Sequence, residues 1–201
     1  MQNEQRIKIA IQKQGRLSDD SLALLRACGL AFNQNSDALI RSCENFPVDI
    51  LFIRDDDIPT FIQDGVCQLG IVGENVLIET ARSQQFTILQ RLGFGKCRLS
   101  IAVPNAFEFN EIADLNNLRI ATSYPQILQE FCEKNQLTVE ILMMSGSVEV
   151  APSLGMADAI FDLVSSGRTL QANGLREVLQ VLQSEALLVT KQAKESVNEN
   201  C

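Results

Sequence analysis

Apolar and polar positions follow two different periods along the first half of the chain. Residues 6–11 read R-I-K-I-A-I, with isoleucine at every second position, which is the period of a strand. Residues 48–53 and 69–72 form two continuous apolar runs, interrupted only by Asp49. Such runs are typical of strands buried on both faces. The predicted strands lie at 6–11, 48–53 and 69–72, and the predicted helices at 18–28, 58–64 and 74–81. This order predicts an α/β fold with a mainly parallel sheet.

The second half repeats the alternation after the segment Gly93-Phe94-Gly95, which we interpret as a hinge. The predicted strands lie at 99–103, 119–121, 139–143, 159–164, 178–182 and 186–189, and the predicted helices at 125–135, 148–154 and 167–173. We expect the chain to cross back between 174 and 178. The prediction is therefore two lobes with a central cleft, one formed by residues 1–93 and 178–201 and the other by residues 94–177. The polar tail from 191 to 201 is expected to fray.

The composition excludes several classes of function. With 25 acidic and 17 basic residues the net charge is −8, which disfavours nucleic acid as a partner. No stretch approaches the roughly 20 apolar residues of a membrane span, and the polar N-terminus predicts a cytoplasmic protein. The chain has no histidine and no C-x-x-C pair among its six cysteines. Serine–histidine catalysis, histidine metal sites and dithiol chemistry are therefore excluded.

The segment from Asp162 to Leu170 is the strongest candidate for a ligand site. A predicted buried strand ends in an acid, and a loop of small residues then leads into a predicted helix. Backbone N–H groups and hydroxyls at such a place bind phosphate readily, but an ordinary capped turn has the same residues. The candidate residues of this loop are Asp162, Ser165, Ser166, Gly167, Arg168 and Thr169.

Other candidates follow the ends of other predicted strands, where ligands bind in α/β folds. Lys13 and Arg16 follow the first strand and either point at an anion or form a solvated basic turn. Arg54 precedes three aspartates, which are either the acidic start of a helix or a site for Mg²⁺ or hydroxyl groups. We favour a phosphate role for Arg54. Two further turns contain Thr122, Ser123, Tyr124, Ser147 and Glu149.

Ten positions between Glu149 and Leu170 fit the spacing E-x5-G-x-A-x2-I-x-D-L-x2-S-G-x-T-L, which resembles the signature of the ATP phosphoribosyltransferases. The resemblance extends over almost the whole chain. It includes the segments I-A-I-Q-K and, after Gln14, G-R-L, followed by R-D-D-D-I-P, G-I-V-G-E-N-V-L, C-R-L-S, R-I-A-T-S-Y-P, G-S-V-E-V-A-P and A-N-G-L-R-E-V.

The resemblance implies a two-lobed fold like that of the type II periplasmic binding proteins. It also implies the first reaction of histidine biosynthesis, in which N1 of ATP attacks C1 of phosphoribosyl pyrophosphate and releases pyrophosphate. Residues 162–169 would bind the ribose and 5-phosphate, and Arg16 and Arg54 would be catalytic. Mg²⁺ would be held mainly by substrate phosphates, with no side-chain metal site. The remaining expected contacts, to ATP or pyrophosphate, are Lys13, Gly73, Asn75, Thr122, Ser123, Tyr124, Ser147 and Glu149.

Partners and regulation follow from the same resemblance. The motifs are closest to the longer branch of the family, which carries a C-terminal regulatory domain that binds histidine. This sequence, which ends at Cys201, is expected to be either the core of a longer protein or a core that works with a separate regulatory subunit. We expect a homodimer or larger homo-oligomer. Two alternatives stay open, a non-catalytic effector-binding module of the same architecture and a core whose full activity needs a partner.

Overall fold

The computed structural model describes residues 6–33, 38–80 and 83–192. These residues divide into two compact units, each built on its own sheet. The first unit contains residues 6–33, 38–77, 83–95 and 185–192, and the second contains 78–80 and 96–184. All but two residues of the predicted polar tail lie outside the described part of the chain. No helix in that described part is long and apolar enough to cross a membrane.

The first unit is a six-stranded sheet with helices packed on it. Its strands, in spatial order, are β2 (Ile40–Ser42), β3 (Val48–Ile53), β1 (Ile7–Gln12), β4 (Leu69–Gly73), β11 (Ala186–Lys191) and β5 (Phe86–Arg91). The helices are α1 (Ser18–Ala27), α2 (Ile58–Gln63) and α3 (Glu74–Glu79), the last of which continues into the second unit. β1 pairs in parallel with β3 and β4, so these three strands end at the same edge.

Both faces of this sheet are buried, as the apolar runs predict. Ala10 contributes to one apolar cluster, while its neighbours Ile9 and Ile11 contribute to the other. α2 packs closely on β4, because Gly70 has no side chain there. A Cβ at Gly70 would lie 2.5 Å from the δ-methyl of Ile62 and 2.7 Å from a γ-methyl of Ile58. The one acid in the β3 run, Asp49, accepts hydrogen bonds from Arg6 and Ser42.

The second unit is a five-stranded sheet. Its strands, in spatial order, are β10 (Leu175–Ser184), β6 (Cys97–Pro104), β9 (Ala159–Val164), β7 (Arg119–Thr122) and β8 (Glu140–Met143). Its helices are α4 (Pro125–Lys134) and the five-residue α5 (Arg168–Ala172). β7 pairs in parallel with β8 and β9, and the turns that follow these three strands therefore lie at one edge of the sheet.

Two expectations need correction. Both sheets are mixed, not mainly parallel, because β5, β6, β10 and β11 pair antiparallel with their neighbours. The return to the first unit comes at Glu185 rather than at Val178, since β10 pairs with β6 along its whole length. Residues 78–80 already belong to the second unit, and residues 83–95 belong to the first. The chain then enters the second unit again after Gly95, close to the predicted hinge, and stays there as far as Ser184.

Candidate functional site

In the first unit, three neighbouring strand ends bring several predicted residues to one edge of the sheet. Gln12 and Ile53 are register partners, and the Lys13 N–H continues the ladder by donating to the Ile53 carbonyl at 2.7 Å. Lys13 and Arg54 therefore follow adjacent strand ends. Gly73 ends β4, the strand on the other side of β1.

Arg16 lies in the turn between β1 and α1, and the side chain of Gln12 stabilises this turn. The Gln12 side-chain oxygen accepts the Leu17 N–H at 2.9 Å. The Arg16 guanidinium lies beside two glycines, 3.7 Å from where a Cβ of Gly73 would be and 3.3 Å from that of Gly95. Its Nη1 is buried, and no hydrogen-bond partner reaches that atom within the described residues. A buried, unpaired guanidinium nitrogen is costly in the free protein and is suited to an anionic ligand.

Two other candidates of this unit have contrasting surroundings. Asn75 is buried, and its side-chain oxygen lies 2.5 Å from the position of a Gly73 Cβ, so a side chain at position 73 would displace the Asn75 amide. Arg54 has a side chain 79% exposed and a loose ion pair with Asp56 at 3.7 Å. An exposed pair of this kind contributes little to stability, which leaves the Arg54 side chain available to a ligand.

In the second unit, the Asp162–Thr169 segment forms the wall of a cavity of about 290 Å³. Asp162 belongs to β9, and the loop of residues 165–167 leads from β9 to α5. The cavity is lined by Glu149, Asp162, Leu163, Val164, Ser165, Ser166, Gly167, Thr169 and Leu170. Arg168 is exposed and is absent from this lining, so five of the six loop candidates line one cavity.

The loop owes its shape to Gly167. This residue has φ +77°, a left-handed conformation that glycine adopts without strain. No atom lies within 4 Å of the position of its missing Cβ, so backbone conformation and not space requires glycine here. The Ser166 hydroxyl is 3.5 Å from the Arg168 N–H, a long contact that leaves it largely unengaged. Because α5 has only five residues, we expect the N–H groups of the loop itself to contribute more to the binding of an anion than the dipole of α5 does.

The surroundings of Asp162 in this cavity disfavour its charged form. Burial raises the pKa of Asp162 to about 6, the Leu163 N–H at 2.8 Å lowers it in part, and the charge of Glu149 raises it further. Glu149 comes from the turn after β8, where Ser147 adopts a left-handed conformation with φ 52°. A partly buried carboxylate pair beside free N–H groups is suited to a ligand that carries both hydroxyl groups and a phosphate.

Two of the remaining candidates of the second unit, Thr122 and Ser123, have structural partners for their hydroxyls. Thr122 is fully buried, and its hydroxyl oxygen accepts the Tyr124 N–H at 2.8 Å. The Ser123 hydroxyl donates to the Met144 carbonyl at 2.8 Å. The first bond lies within the turn after β7, and the second ties that turn to the turn after β8. Both bonds favour a supporting role for these hydroxyls. Ser147 is exposed at the same edge.

Most of the chain matches a known family model. The model described as HisG: ATP phosphoribosyltransferase matches residues 54–200. The chain belongs to the ATP phosphoribosyltransferase family. The resemblance predicted from the motifs is therefore confirmed, and the family match includes the Asp162–Thr169 segment. An ATP phosphoribosyltransferase of Cytophaga hutchinsonii is 52% identical over 182 residues, which are 90% of this chain. This chain spans 63% of the length of that relative.

Solved structures agree with the family and with the fold. The ATP phosphoribosyl transferase (HisG:HisZ) complex from Thermotoga maritima matches with a TM-score of 0.78 at 29% identity, over 92% of this chain and 87% of that chain. A substrate-binding protein of an amino acid ABC transporter matches with a TM-score of 0.62 at 12% identity, over 94% of this chain and 87% of that chain. The second likeness concerns the fold alone. The predicted two-lobed α/β class is confirmed, and the cleft expected with it stays a prediction.

The structure also identifies residues that the sequence reasoning did not assign to the site. Gly95, interpreted only as part of a hinge, lies beside the Arg16 guanidinium, and a Cβ there would overlap the δ-methyl of Leu17. Arg98, quoted only within a motif, donates from Nη1 to the Ser165 carbonyl at 3.1 Å. No local signal could have found either contact, because each joins residues more than 60 positions apart.

Proposed function

We propose that this chain is the catalytic core of an ATP phosphoribosyltransferase, which transfers the phosphoribosyl group of phosphoribosyl pyrophosphate to N1 of ATP and releases pyrophosphate. The observation that carries the proposal is the cavity beside residues 162–169, which presents two carboxylates, free hydroxyls and loop N–H groups together. A ribose with a 5-phosphate needs this combination. Membership of the family supports the same substrates.

The proposed reaction needs no general base, which suits a chain without histidine. The lone pair of adenine N1 forms the new bond to C1 of the ribose, and the bond from C1 to the pyrophosphate oxygen breaks with its electrons leaving on pyrophosphate. N1 carries no proton that must be removed first. Catalysis then consists of positioning the two substrates and stabilising the charge that develops on the leaving group.

The residues of the chain divide this work in the proposal. The loop amides of Ser166 and Gly167 and the Thr169 hydroxyl bind the 5-phosphate, while Asp162 and Glu149 accept hydrogen bonds from ribose hydroxyls. Arg16 and Arg54 stabilise the leaving pyrophosphate. The unpaired Nη1 of Arg16 supports its role, because a preorganised donor needs no rearrangement at the moment of reaction.

Mg²⁺ enters the proposal as the counter-ion of the substrate phosphates. Within residues 6–33, 38–80 and 83–192, no group of three or more Cys, Asp and Glu side chains is placed to hold a metal ion. In the proposal, the cation arrives with the substrate phosphates and keeps most of its waters. Bound in this way, Mg²⁺ would neutralise charge on the pyrophosphate.

The association of this chain is also proposed from the family. A homodimer or larger homo-oligomer, with a separate regulatory chain as a further partner, is supported by the HisG:HisZ complex of the Thermotoga maritima relative. A cytoplasmic location is proposed on the same grounds as the enzyme itself.

A turnover assay tests the function directly. The purified chain is given ATP, phosphoribosyl pyrophosphate and Mg²⁺, and the ultraviolet absorbance of the N1-ribosylated product is followed. Arg16→Gln is expected to lower kcat by about 100-fold or more, as expected for a lost transition-state donor. Arg26→Gln is the matched control, because Arg26 lies in the same unit with its guanidinium over the Phe32 ring.

The outcomes separate the alternatives. Turnover that Arg16→Gln abolishes and Arg26→Gln preserves supports the reaction and the site. Binding of phosphoribosyl pyrophosphate without turnover indicates a core that needs a partner, which is then tested by adding a candidate regulatory chain. A folded chain that neither turns over nor binds would overturn the proposal and favour the effector-binding module.

A further inference from the structure

The loop of residues 165–167 has open space on both of its faces. Beside the cavity described above lies a second one of about 360 Å³, and Ser166, Gly167 and Leu170 line both. Arg98 and Glu177 also line this second cavity. Because packing on two empty faces cannot fix a loop, the direction of its N–H groups must depend on hydrogen bonds.

Arg98 supplies such a hydrogen bond. It extends from β6, and its Nη1 donates to the Ser165 carbonyl at 3.1 Å. Its Nε and Nη2 donate to the two carboxylate oxygens of Glu177 at 2.6 and 2.5 Å, which is a bidentate pair. Ser100, fully buried on the same strand, donates its hydroxyl to Glu177 at 2.8 Å. The guanidinium is therefore fixed in one orientation by two neighbouring strands.

The positive charge of Arg98 is balanced within the protein by the carboxylate of Glu177. The hydrogen bonds from Arg98, together with that from Ser100, hold the pKa of Glu177 below its usual range although burial raises it in part, so the carboxylate is ionised at neutral pH. With its charge matched by Glu177, Arg98 is poorly suited to bind a phosphate itself. Its remaining contact is with the backbone of the loop.

We propose that Arg98, held by Glu177 and Ser100, is a positioning residue that directs the Ser166 N–H group toward the 5-phosphate. It acts through the Ser165 carbonyl, because that carbonyl and the Ser166 N–H belong to one planar trans peptide group, so holding the oxygen on one side directs the N–H to the other. The inference rests on the proposed function for its ligand, although the ordering of the loop does not. It predicts that loss of Arg98 affects the 5-phosphate end of the substrate more than the pyrophosphate end.

The test compares Arg98→Lys with a matched control, Arg119→Lys. Arg119 belongs to the same unit, pairs with Glu140 at 2.8 Å and also reaches a loop carbonyl, that of Met156 at 3.4 Å. Backbone ¹⁵N order parameters of the full chain are measured for residues 165–167. In Arg98→Lys we expect them to fall from about 0.85 toward 0.6, and in Arg119→Lys to stay unchanged.

Binding measurements by calorimetry supply the second readout. Arg98→Lys is expected to weaken ribose 5-phosphate and phosphoribosyl pyrophosphate alike by about tenfold, the effect of losing one charge-assisted hydrogen bond, and to leave inorganic pyrophosphate unchanged. A purely structural loss would weaken all three ligands together. Should Arg98→Lys fail to fold, Glu177→Gln removes the bidentate pair and keeps the arginine.

Each outcome decides a separate question. Order parameters that do not change in folded Arg98→Lys overturn the positioning role. So does equal loss of affinity for pyrophosphate, or unchanged affinity for ribose 5-phosphate where the wild-type chain binds it. A third result is that the order parameters fall in Arg98→Lys while the wild-type chain binds none of the three ligands. That result would support the positioning of the loop by Arg98 and would overturn the proposed function.

Discussion

We predict that the ionised carboxylate of Asp162 lowers the free energy of unfolding, because the cavity disfavours its charge. The perturbation is Asp162→Asn, which preserves the shape of the side chain and the oxygen that accepts the Leu163 N–H. The variant removes a carboxylate whose charge is disfavoured by burial and by the nearby charge of Glu149. We therefore expect the variant to be more stable than the wild type at pH 8.

The magnitude follows from the raised pKa. Folding raises the pKa of Asp162 from 3.8 to about 6. Each tenfold change in proton affinity corresponds to about 1.4 kcal/mol, so the ionised carboxylate destabilises the folded state by about 3 kcal/mol. Because the folded-state pKa lies above the unfolded one, the stability contributed by the protonated form is fully present below about pH 3.8 and is lost as the pH rises through 6.

The assay is urea unfolding of both proteins at several pH values between 4 and 8. Tyr124 is the only tyrosine in a chain without tryptophan, so its fluorescence reports on the second unit, which contains Asp162. Taking the difference between variant and wild type cancels the titration of the other carboxylates. The difference is expected to be small near pH 4 and about 3 kcal/mol in favour of the variant at pH 8.

Two results would contradict a raised pKa for Asp162. A variant that is equally or less stable than the wild type at pH 8 would mean that Asp162 ionises at its ordinary pKa. A constant difference at all pH values would mean that the amide changes packing and not charge. If the proposed function holds, the same variant loses affinity for phosphoribosyl pyrophosphate, so stability and binding change in opposite directions.

Two further predictions concern stability alone. Asp114→Asn should destabilise the second unit at pH 7, because the N–H groups of Asn110 and Glu111 lower the pKa of Asp114. The destabilisation should be complete above the ordinary pKa of an aspartate and should disappear as the pH falls through the lowered pKa of the folded state. Urea unfolding followed by tyrosine fluorescence measures this, and a loss that persists below that lowered pKa would contradict it. Gly70→Ala should lower the free energy of unfolding of the first unit by about 1–3 kcal/mol through overpacking against α2. Circular dichroism in urea measures that loss, and an Ile62→Val background, which removes the nearest methyl group, should recover part of it.

The local patterns of the sequence identified most strands and helices and the segment that carries the chemistry. The apolar runs at 48–53 and 69–72 became β3 and β4, because strands buried on both faces need uninterrupted apolar side chains. The loop after Val164 was recognisable from its small residues, since a glycine at a left-handed position marks a turn whatever the rest of the fold. The family was likewise predictable from the motif between Glu149 and Leu170 and was confirmed.

Pairing between distant segments decided what local patterns could not. β10 extends from Leu175 to Ser184, well beyond the predicted 178–182, because β6 supplies hydrogen-bond partners along its whole length. The same pairing keeps this strand in the second unit. Strand direction also escaped prediction, since an apolar run is compatible with parallel and antiparallel neighbours.

The amino-acid sequence is sufficient to name residues that could do chemistry, but only folding brings a particular set of them into contact. The raised pKa of Asp162 depends on burial and on Glu149, a residue that β9 and the turn after β8 bring to the same cavity. The contact from Arg98 to Ser165 joins residues 67 positions apart. Hydrogen bonds and Coulomb interactions act over a few ångströms in space, and only the folded chain determines which residues lie that close.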